Sequence, residues 1–327
     1  MKKLIALLLT ICMLMTCVCV AFAEEAESEP IKCGIELSYL GASIFIEALN
    51  SIEQVAEEMN VDLVTWSSEG STATCIEGIE NFISAGCDVA FIQNWPGENV
   101  IGDVCQRAAD AGMIILAYDQ QLSSATYCLM ADLQQLGYAL ADAAAIWFEQ
   151  FDNKGTIVTI TSNGEFIQLR HDYCVERLQE ILPDVEIVTL DVTATGGSSG
   201  NSAGLTLGEQ ILSSYPDALC VIAADSSNTG LGVSEAFAAA GITSGKAVIT
   251  MDGSLEEFRA ILDDSCFWAT IDLNLVTLMT ELFVRGIEYA RTGEINEAER
   301  VVYFDNRIVT PDTIDQYYDA ETDTRIL

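Results

Sequence analysis

Carboxylates, amides and hydroxyls stand directly after short apolar runs at five points in this chain. The residues at those points are Gln93, Asp119, Ser162, Asp225 and Asp252. A carboxylate can accept hydrogen bonds from two hydroxyls at once, and such charge-assisted bonds are stronger than neutral ones. These residue types therefore suit recognition of a neutral, hydroxyl-rich molecule. A carboxylate pair such as Asp119 and Asp252 would also suit glycoside hydrolysis.

Some of these residues have a structural alternative, because a polar residue after a strand often caps the next helix. Ser254 can cap the helix that follows Asp252, which leaves the Asp252 carboxylate spare. Asp225 fits a cap and a ligand equally well. Asp119 has no obvious helix to cap, so its carboxylate is the strongest candidate for ligand binding.

The elements that must position these residues alternate along the chain. From Ile31 onward, apolar runs of strand length alternate with segments such as 43–59, in which apolar residues recur at i, i+3 and i+4. This alternation predicts βαβ units and parallel sheets. The strands are too many for one compact unit, so we predict an α/β fold with two doubly wound lobes. A single (β/α)8 barrel is the alternative, although strands at 126–130 and 301–304 break its rhythm.

In open parallel sheets, ligands bind outside the carboxyl ends of the strands. Each predicted lobe therefore presents a polar rim at one end of its sheet, and two facing rims would line a cleft. Aromatic rings can cover the apolar face of a sugar. Phe45 and Trp95 are the first candidates for that role, and Phe166 is a further one.

The amino terminus reads as a targeting segment. Two lysines, an apolar stretch and an Ala-Phe-Ala site predict a signal peptide at 1–23 and export of the remainder to the periplasm or cell surface. A lipoprotein is the alternative, because cysteines lie in this segment. The residues before Cys17 lack the small side chains that a lipid-attachment site requires.

Composition argues against several partners and cofactors. A net charge of −36 at pH 7 repels nucleic acid and anionic lipid surfaces. The eight cysteines after residue 23 lie mostly inside apolar runs without C-x-x-C spacing, so we expect buried free thiols. His171 is the only histidine, so we expect no metal site. The loop "TGGSSGNSAG" lacks a nucleotide-phosphate motif, and we expect no cofactor.

Five segments carry a resemblance to a known family. They are "IELSYLGASIF", "MIILAYDQQ", "QLRHDY", "VITMDGS" and "WATIDLN". With the order of elements, they resemble the periplasmic sugar-binding proteins of the ribose- and galactose-binding class, the solute receptors of ABC importers. The resemblance implies a monomeric receptor of two α/β lobes, joined by three crossing segments, that closes on a sugar and delivers it to a transporter permease.

The resemblance places the ligand-binding residues of the family on particular positions of this chain. They are Phe45, Asp119, Arg170, Asp225, Asp252 and Asn274. Gln120 stands where ribose receptors carry an arginine, and Ala42 where they carry an asparagine. We therefore predict an altered set of hydrogen bonds, with Gln120 and Trp95 added to the site, and a ligand other than ribose.

The predicted domain organisation follows from the two strand series and a late return helix. The first lobe is expected at 31–131 plus 274–300, and the second at 132–273 plus 301–327, with hinges near 131, 272 and 300. A solute receptor without catalysis is the leading function. An exported carbohydrate hydrolase and a ligand-sensing subunit of a membrane sensor are the alternatives.

Overall fold

The computed structural model describes residues 29–40, 42–195 and 199–326. The predicted signal peptide at 1–23 lies outside the described residues. Strands and helices alternate along most of the described chain, as the sequence predicts.

The strands, in chain order, are β1 Ile31–Leu37, β2 Val61–Ser67, β3 Val89–Gln93, β4 Ile114–Asp119, β5 Tyr127–Met130, β6 Gly155–Thr161, β7 Val185–Asp191, β8 Ala218–Ala223, β9 Ala247–Asp252, β10 Phe267–Asp272, β11 Val301–Tyr303, β12 Arg307–Val309, β13 Tyr318–Asp319 and β14 Thr324–Arg325. The α-helices are α1 Ser43–Glu58, α2 Thr72–Ala85, α3 Glu98–Asp110, α4 Leu133–Phe148, α5 Glu165–Ile181, α6 Asn201–Ser214, α7 Ser227–Ala239, α8 Leu255–Leu262 and α9 Leu275–Thr292. Short 3-10 turns cover Glu149–Phe151, Val192–Thr195, Glu297–Glu299 and Ile314–Gln316.

The first sheet has the order β11-β5-β4-β3-β1-β2, and all its neighbouring strands are parallel. Helices α1 and α9 cover one face, and α2 and α3 cover the other. A sheet covered on both faces needs strands that are apolar throughout. All five residues of strand β3 are buried. The first four, Val89 to Ile92, are apolar, and the polar Gln93 comes last.

The second sheet has the order β12-β10-β9-β8-β6-β7, with β12 antiparallel to β10 and the other pairs parallel. Helices α4 and α5 lie on one face, and α6, α7 and α8 on the other. Helices α6 and α7 approach closely, because a Cβ on Gly204 would lie 2.1 Å from the Thr229 carbonyl oxygen. This packing fixes the first turn of α7, which carries side chains of the site.

The prediction of two doubly wound lobes is confirmed, and the barrel alternative is wrong, because the described strands form two open six-stranded sheets. The placement of 301–304 in the second lobe is also wrong. Strand β11 pairs with β5, with Val301 opposite Cys128, and thus completes the first sheet. Helix α9 packs on the first lobe and returns the chain to the open edge of β5, where the backbone groups of β11 find partners.

Three segments cross between the lobes. They lie at 131–132 between β5 and α4, at 273–274 between β10 and α9, and at 304–306 between β11 and β12. The third crossing was predicted near 300 and lies a few residues later, because β11 belongs to the first lobe. The described part of the chain also has strands after 304 that the sequence analysis did not predict: β12, and the hairpin of β13 and β14.

Candidate functional site

The first-lobe side of the site is built from the ends of β3 and β4. Asp119 ends β4 with a positive φ of 78°, a conformation that is costly for residues other than glycine and is typical of functional positions. Its Oδ2 accepts a hydrogen bond from Gln93 Nε2 at 2.7 Å. Gln93 is in turn held by the backbone N–H of Ser38, which donates to its Oε1 at 2.8 Å. Burial raises the pKa of Asp119 to about 6, and hydrogen bonds from Gln93 and Tyr118 oppose the rise.

Gln93 is a site residue that the ligand-residue prediction missed. It ends β3 beside Tyr118, one residue before Asp119 on the neighbouring strand. The signal for it was present in the sequence, since Gln93 is one of the polar residues that follow an apolar run. A rule that paired the ends of adjacent strands would have included it.

Phe45 lies mostly in the core of the first lobe. It is 8% exposed, and its ring meets Tyr118 edge to face with 6.1 Å between centroids. Tyr118 also contacts Phe304 of the third crossing, at 5.8 Å between centroids. These rings join the first turn of α1 to the end of β4. The stacking of Phe45 on a sugar remains a prediction.

Gln120 and Trp95 brace the loops that follow β3 and β4. Gln120 Nε2 donates to the Asn94 carbonyl oxygen at 2.9 Å and to that of Trp95 at 3.4 Å. Asn94 Nδ2 donates back to the carbonyl oxygens of Gln120 and Gln121, at 3.4 and 3.0 Å. The side-chain nitrogen of Gln120 therefore binds the backbone of a loop, and the contact of Gln120 with ligand stays a prediction. The Trp95 ring packs against the apolar cluster beneath α2 and α3.

The second-lobe side centres on Arg170, a buried residue of α5. Its Nε donates to the Ala224 carbonyl oxygen at 2.8 Å, and its Nη2 donates to that of Asp225 at 3.2 Å. These bonds fix the plane of the guanidinium. Burial lowers the pKa of Arg170, while the negative charges of Asp252, Asp225 and Asp119 favour its charged form. The interaction with Asp119 shows that residues from both lobes share one electrostatic environment.

Asp225 follows β8, and its side chain is buried. Its Oδ2 accepts a hydrogen bond from Thr229 Oγ1 at 2.7 Å, whereas its Oδ1 is buried without a partner in the described structure. Burial raises the pKa of Asp225 to about 6, against the effect of the hydrogen bond from Thr229 and of the nearby Ser199 hydroxyl. Ser226, and not Asp225, occupies the N-cap position of α7. An unpaired buried carboxylate oxygen is costly, so Oδ1 is an acceptor suited to a ligand donor.

Asp252 ends β9 with a φ of 99°, the second carboxylate of the site in this uncommon conformation. Its Oδ2 accepts a hydrogen bond from Ser227 Oγ at 2.6 Å. Burial raises the pKa of Asp252, and the hydrogen bond from Ser227 and the charge of Arg170 oppose the rise. Ser254 caps α8 through a capping box with Glu257, so the Asp252 carboxylate is free of capping, as predicted. Ser227 was not predicted, because no pattern in the sequence shows that α7 points its first turn at β9.

Asn274 belongs to the hinge. Its Nδ2 donates to Asp305 Oδ2 at 3.0 Å, and its backbone N–H donates to Asp272 Oδ1 at 3.0 Å. With a φ of 54°, it turns the chain between β10 and α9. These bonds join the second crossing to the third. They give Asn274 a structural role at the hinge, and its contact with ligand stays a prediction.

The arrangement offers hydrogen-bond acceptors from both lobes around one guanidinium. Asp119 lies on the first lobe, and Asp225 and Asp252 on the second, and the negative charges of all three favour the charged form of Arg170. Within residues 29–40, 42–195 and 199–326, no group of three or more His, Cys, Asp or Glu residues could hold a metal ion. The three carboxylates and the guanidinium can bind the hydroxyl groups of one ligand from both lobes.

Two parallel-sheet lobes, joined by three crossings and carrying polar side chains at their strand ends, define a two-lobed binding protein. The chain belongs to the family described as "Periplasmic binding protein domain", whose model matches residues 34–276. This match confirms the family that the sequence resemblance indicated. Members of this family are binding proteins and not enzymes.

Two curated relatives are D-xylose-binding periplasmic proteins. The protein of Haemophilus influenzae is 29% identical over 104 residues, which are 32% of this chain and 31% of the relative. The protein of Escherichia coli is 27% identical over 139 residues, which are 42% of this chain and 41% of the relative. Each alignment therefore spans less than half of the relative.

A solved structure extends the likeness over most of the described chain. It is the ABC transporter periplasmic solute binding protein of Actinobacillus succinogenes 130z with bound D-allose, and the TM-score is 0.73 at 19% identity. The match covers 88% of this chain and 100% of that chain. At this level of identity the likeness concerns the fold.

Proposed function

We propose that this chain is an extracytoplasmic solute receptor that captures a neutral, hydroxyl-rich molecule between its lobes for an ABC importer. The observation that carries the proposal is the placement of three carboxylates at or just after strand ends of both lobes, with charges that act on the buried Arg170 guanidinium. Such a set is completed only when the lobes approach each other. Ligand binding and lobe closure are then one event.

The charges of the site disfavour an anionic ligand. Asp119, Asp225 and Asp252 outnumber Arg170, so a phosphate or carboxylate ligand would be repelled. Hydroxyl groups can donate to the carboxylates and accept from the guanidinium. The D-xylose and D-allose named for the relatives belong to this chemical class, and we propose a monosaccharide or a similar polyol.

We propose that the receptor has no catalytic activity. His171, the only histidine, is buried on α5, and its Nε2 lies 2.9 Å from Thr159 Oγ1. Burial lowers the pKa of His171. A base held by a strand hydroxyl of its own lobe does not form a triad with the carboxylates of the site. Purified protein is expected to leave mono- and disaccharides unchanged, and steady release of product would favour the alternative of an exported hydrolase.

The proposed setting is the periplasm or cell surface, with the permease of an importer as partner. No helix in the described part of the chain is long and apolar enough to span a bilayer. The net charge of −36 makes nucleic acid an unfavourable partner. We propose a monomer, and light scattering of the purified chain checks that state.

The test is a thermal-shift screen followed by calorimetry. The mature chain is mixed with pentoses, hexoses, disaccharides, polyols and nucleosides. A ligand that binds only the folded receptor should stabilise it by about 2.7 kcal/mol at a hundredfold excess over Kd. Sugar phosphates and sugar acids serve as matched anionic controls. The proposal fails if no neutral polyol binds, or if the anions bind more tightly.

A further inference from the structure

The described end of the chain reaches a contact between the lobes. Strands β13 and β14 form a hairpin that is fastened to α8 in the second lobe. Asp323 of the hairpin accepts hydrogen bonds from Arg259 at 2.8 and 2.7 Å. The ring of Tyr318 lies 5.8 Å from that of Phe258 between centroids. The hairpin therefore moves with the second lobe.

Arg325 extends from this hairpin to a carboxylate of the first lobe. Its Nε and Nη2 donate to Glu47 Oε2 at 3.0 and 2.9 Å. Glu47 lies on α1, and its other oxygen accepts a hydrogen bond from the backbone N–H of Leu255 at 2.8 Å. Leu255 is the first residue of α8, so the carboxylate also meets the positive end of a helix in the second lobe.

The same guanidinium holds the loop that carries Asp252. Arg325 Nη2 donates to the carbonyl oxygen of Gly253, and its Nη1 lies 3.6 Å from Asp272 Oδ1. Gly253 has a φ of 71°, and a Cβ at this position would lie 2.5 Å from Asp272 Oδ1. The turn after Asp252 is thus fixed from both sides, and Arg325 joins it to the first lobe.

The ion pair between Arg325 and Glu47 is largely withdrawn from water, with 12% and 15% of the two side chains exposed. Removing one partner of such a pair leaves the other charge without compensation. Rotation about the three crossings would separate α1 from α8 and break the pair together with the bond from Leu255. A further contact, from Ser43 to Glu256, joins the same two helices.

We propose that Arg325 is an interlobe latch, which stabilises the closed arrangement by joining Glu47 of the first lobe to Gly253 and Asp272 of the second. The latch lies beside the proposed ligand site, because Gly253 directly follows Asp252, but it uses neither the carboxylates nor the guanidinium of that site. It shifts the equilibrium between open and closed lobes before ligand arrives. A receptor whose closed state is more populated binds with higher apparent affinity.

The experiment measures lobe opening in the absence of sugar. The mature chain is unfolded, dialysed and refolded to remove bound ligand, and its radius of gyration is measured by small-angle scattering. Arg325→Gln and Glu47→Gln are each expected to give a larger radius than the wild type. Glu47→Gln tests the charge alone, because an amide oxygen can still accept from Leu255. The double variant should open no further than either single variant.

Controls separate the latch from a general loss of stability. Arg285→Gln removes an arginine whose ion pairs with Glu281 and Glu299 lie within the first lobe, and its radius should equal that of the wild type. Arg325→Lys keeps the charge without the two-pronged geometry and should recover part of the closure.

Ligand affinity gives a second readout, which rests on the proposed function. With a sugar from the screen, Arg325→Gln should bind about tenfold more weakly and release the ligand faster, as a smaller closed population requires. The scattering measurement needs no sugar, so it tests the latch even if the proposed ligand class is wrong. The latch is overturned if the free wild type is as open as the variants, or if the variants only melt at lower temperature without opening.

Discussion

The two sides of the cleft differ in how firmly they hold their polar groups. On the second lobe, Arg170 is fixed by two backbone carbonyls, Asp225 by Thr229 and Asp252 by Ser227. On the first lobe, the Asp119 carboxylate accepts a side-chain hydrogen bond from Gln93, and aromatic rings fill the space beneath it. The second lobe thus presents an organised polar surface that includes the guanidinium, and the first lobe closes over it with a single carboxylate. We expect the second lobe to contribute more of the binding free energy, and substitutions on the two sides test this.

Replacing Arg170 by Ala should have the largest effect. The change removes a charged donor beside Asp119, Asp225 and Asp252, and leaving a buried charged hydrogen-bond partner unpaired costs about 3 kcal/mol or more. Ligand affinity measured by calorimetry should fall by more than a hundredfold. Arg177→Ala, on the same helix but in half-exposed ion pairs with Asp142 and Glu180, should leave affinity unchanged. Equal affinity of the Arg170 variant and the wild type would show that the site lies elsewhere.

Replacing Asp252 should have the second-largest effect on ligand affinity. Asp252→Ala removes an acceptor and leaves donors unpaired, at a cost of about 1–3 kcal/mol. Asp252→Asn separates charge from backbone strain, because asparagine tolerates a positive φ. We expect Asn to fold as well as the wild type and to bind about tenfold more weakly, with Ala weaker still. If Asn binds like the wild type, the carboxylate charge does not contribute to recognition.

Asp119→Ala on the first lobe should cost less than Arg170→Ala. Asp119 is one of three acceptor carboxylates, whereas Arg170 is the cation on which all three act, so a smaller loss of about 1–2 kcal/mol in binding is expected. Gln93→Leu should have a smaller effect in the same direction, because Gln93 acts by positioning Asp119. Calorimetry on both variants checks the order, and circular dichroism checks the fold. A first-lobe loss that exceeds that of Arg170→Ala would reverse the comparison between the lobes.

The sequence predicted those features that local pattern determines. Apolar runs of strand length and helical periodicity predicted two α/β lobes. The polar residues after those runs predicted that Asp119, Asp225 and Asp252 lie at the carboxyl ends of strands. Pairing between distant segments was harder to predict. Strand β11 is three residues long and fits either sheet by pattern, and its place depends on where α9 returns the chain.

Side-chain direction limited the prediction of the site. Gln120 and Asn274 have the residue types of ligand contacts, and the sequence could not show that the Gln120 amide binds a neighbouring loop and the Asn274 amide a hinge residue. Arg325 stands far along the chain from Glu47, so no spacing in the sequence relates them. Such contacts follow from the packing of whole elements, which short-range patterns do not encode.

Two buried glutamates extend the comparison between the lobes to stability. Glu257 of the second lobe accepts hydrogen bonds from Thr250, Thr270 and the backbone of Ser254, and burial with the charge of Asp252 raises its pKa to about 8. Glu36 of the first lobe is fully buried, and neither of its carboxylate oxygens has a hydrogen-bond partner of good geometry. Burial raises the pKa of Glu36 to about 7, and the nearby Ser68 and Cys75 oppose the rise.

The smallest predicted effect is an increase in folding stability, in the variant Glu36→Gln. A carboxyl whose pKa is 4.5 when unfolded and about 7 when folded binds protons more tightly in the folded state. Its contribution to stability is therefore present below pH 4.5 and is lost as the pH rises through 7. Glu36→Gln has no charge to bury, so at pH 8 it should be more stable than the wild type by about 1 kcal/mol, and at pH 5 the two should converge. Melting temperatures from pH 5 to 8 check this.

Glu257→Gln is the matched control, since it disrupts a satisfied network and should lower stability at every pH. A Glu36→Gln variant that is less stable at pH 8 would mean that groups around Glu36 compensate its carboxylate charge in the folded state.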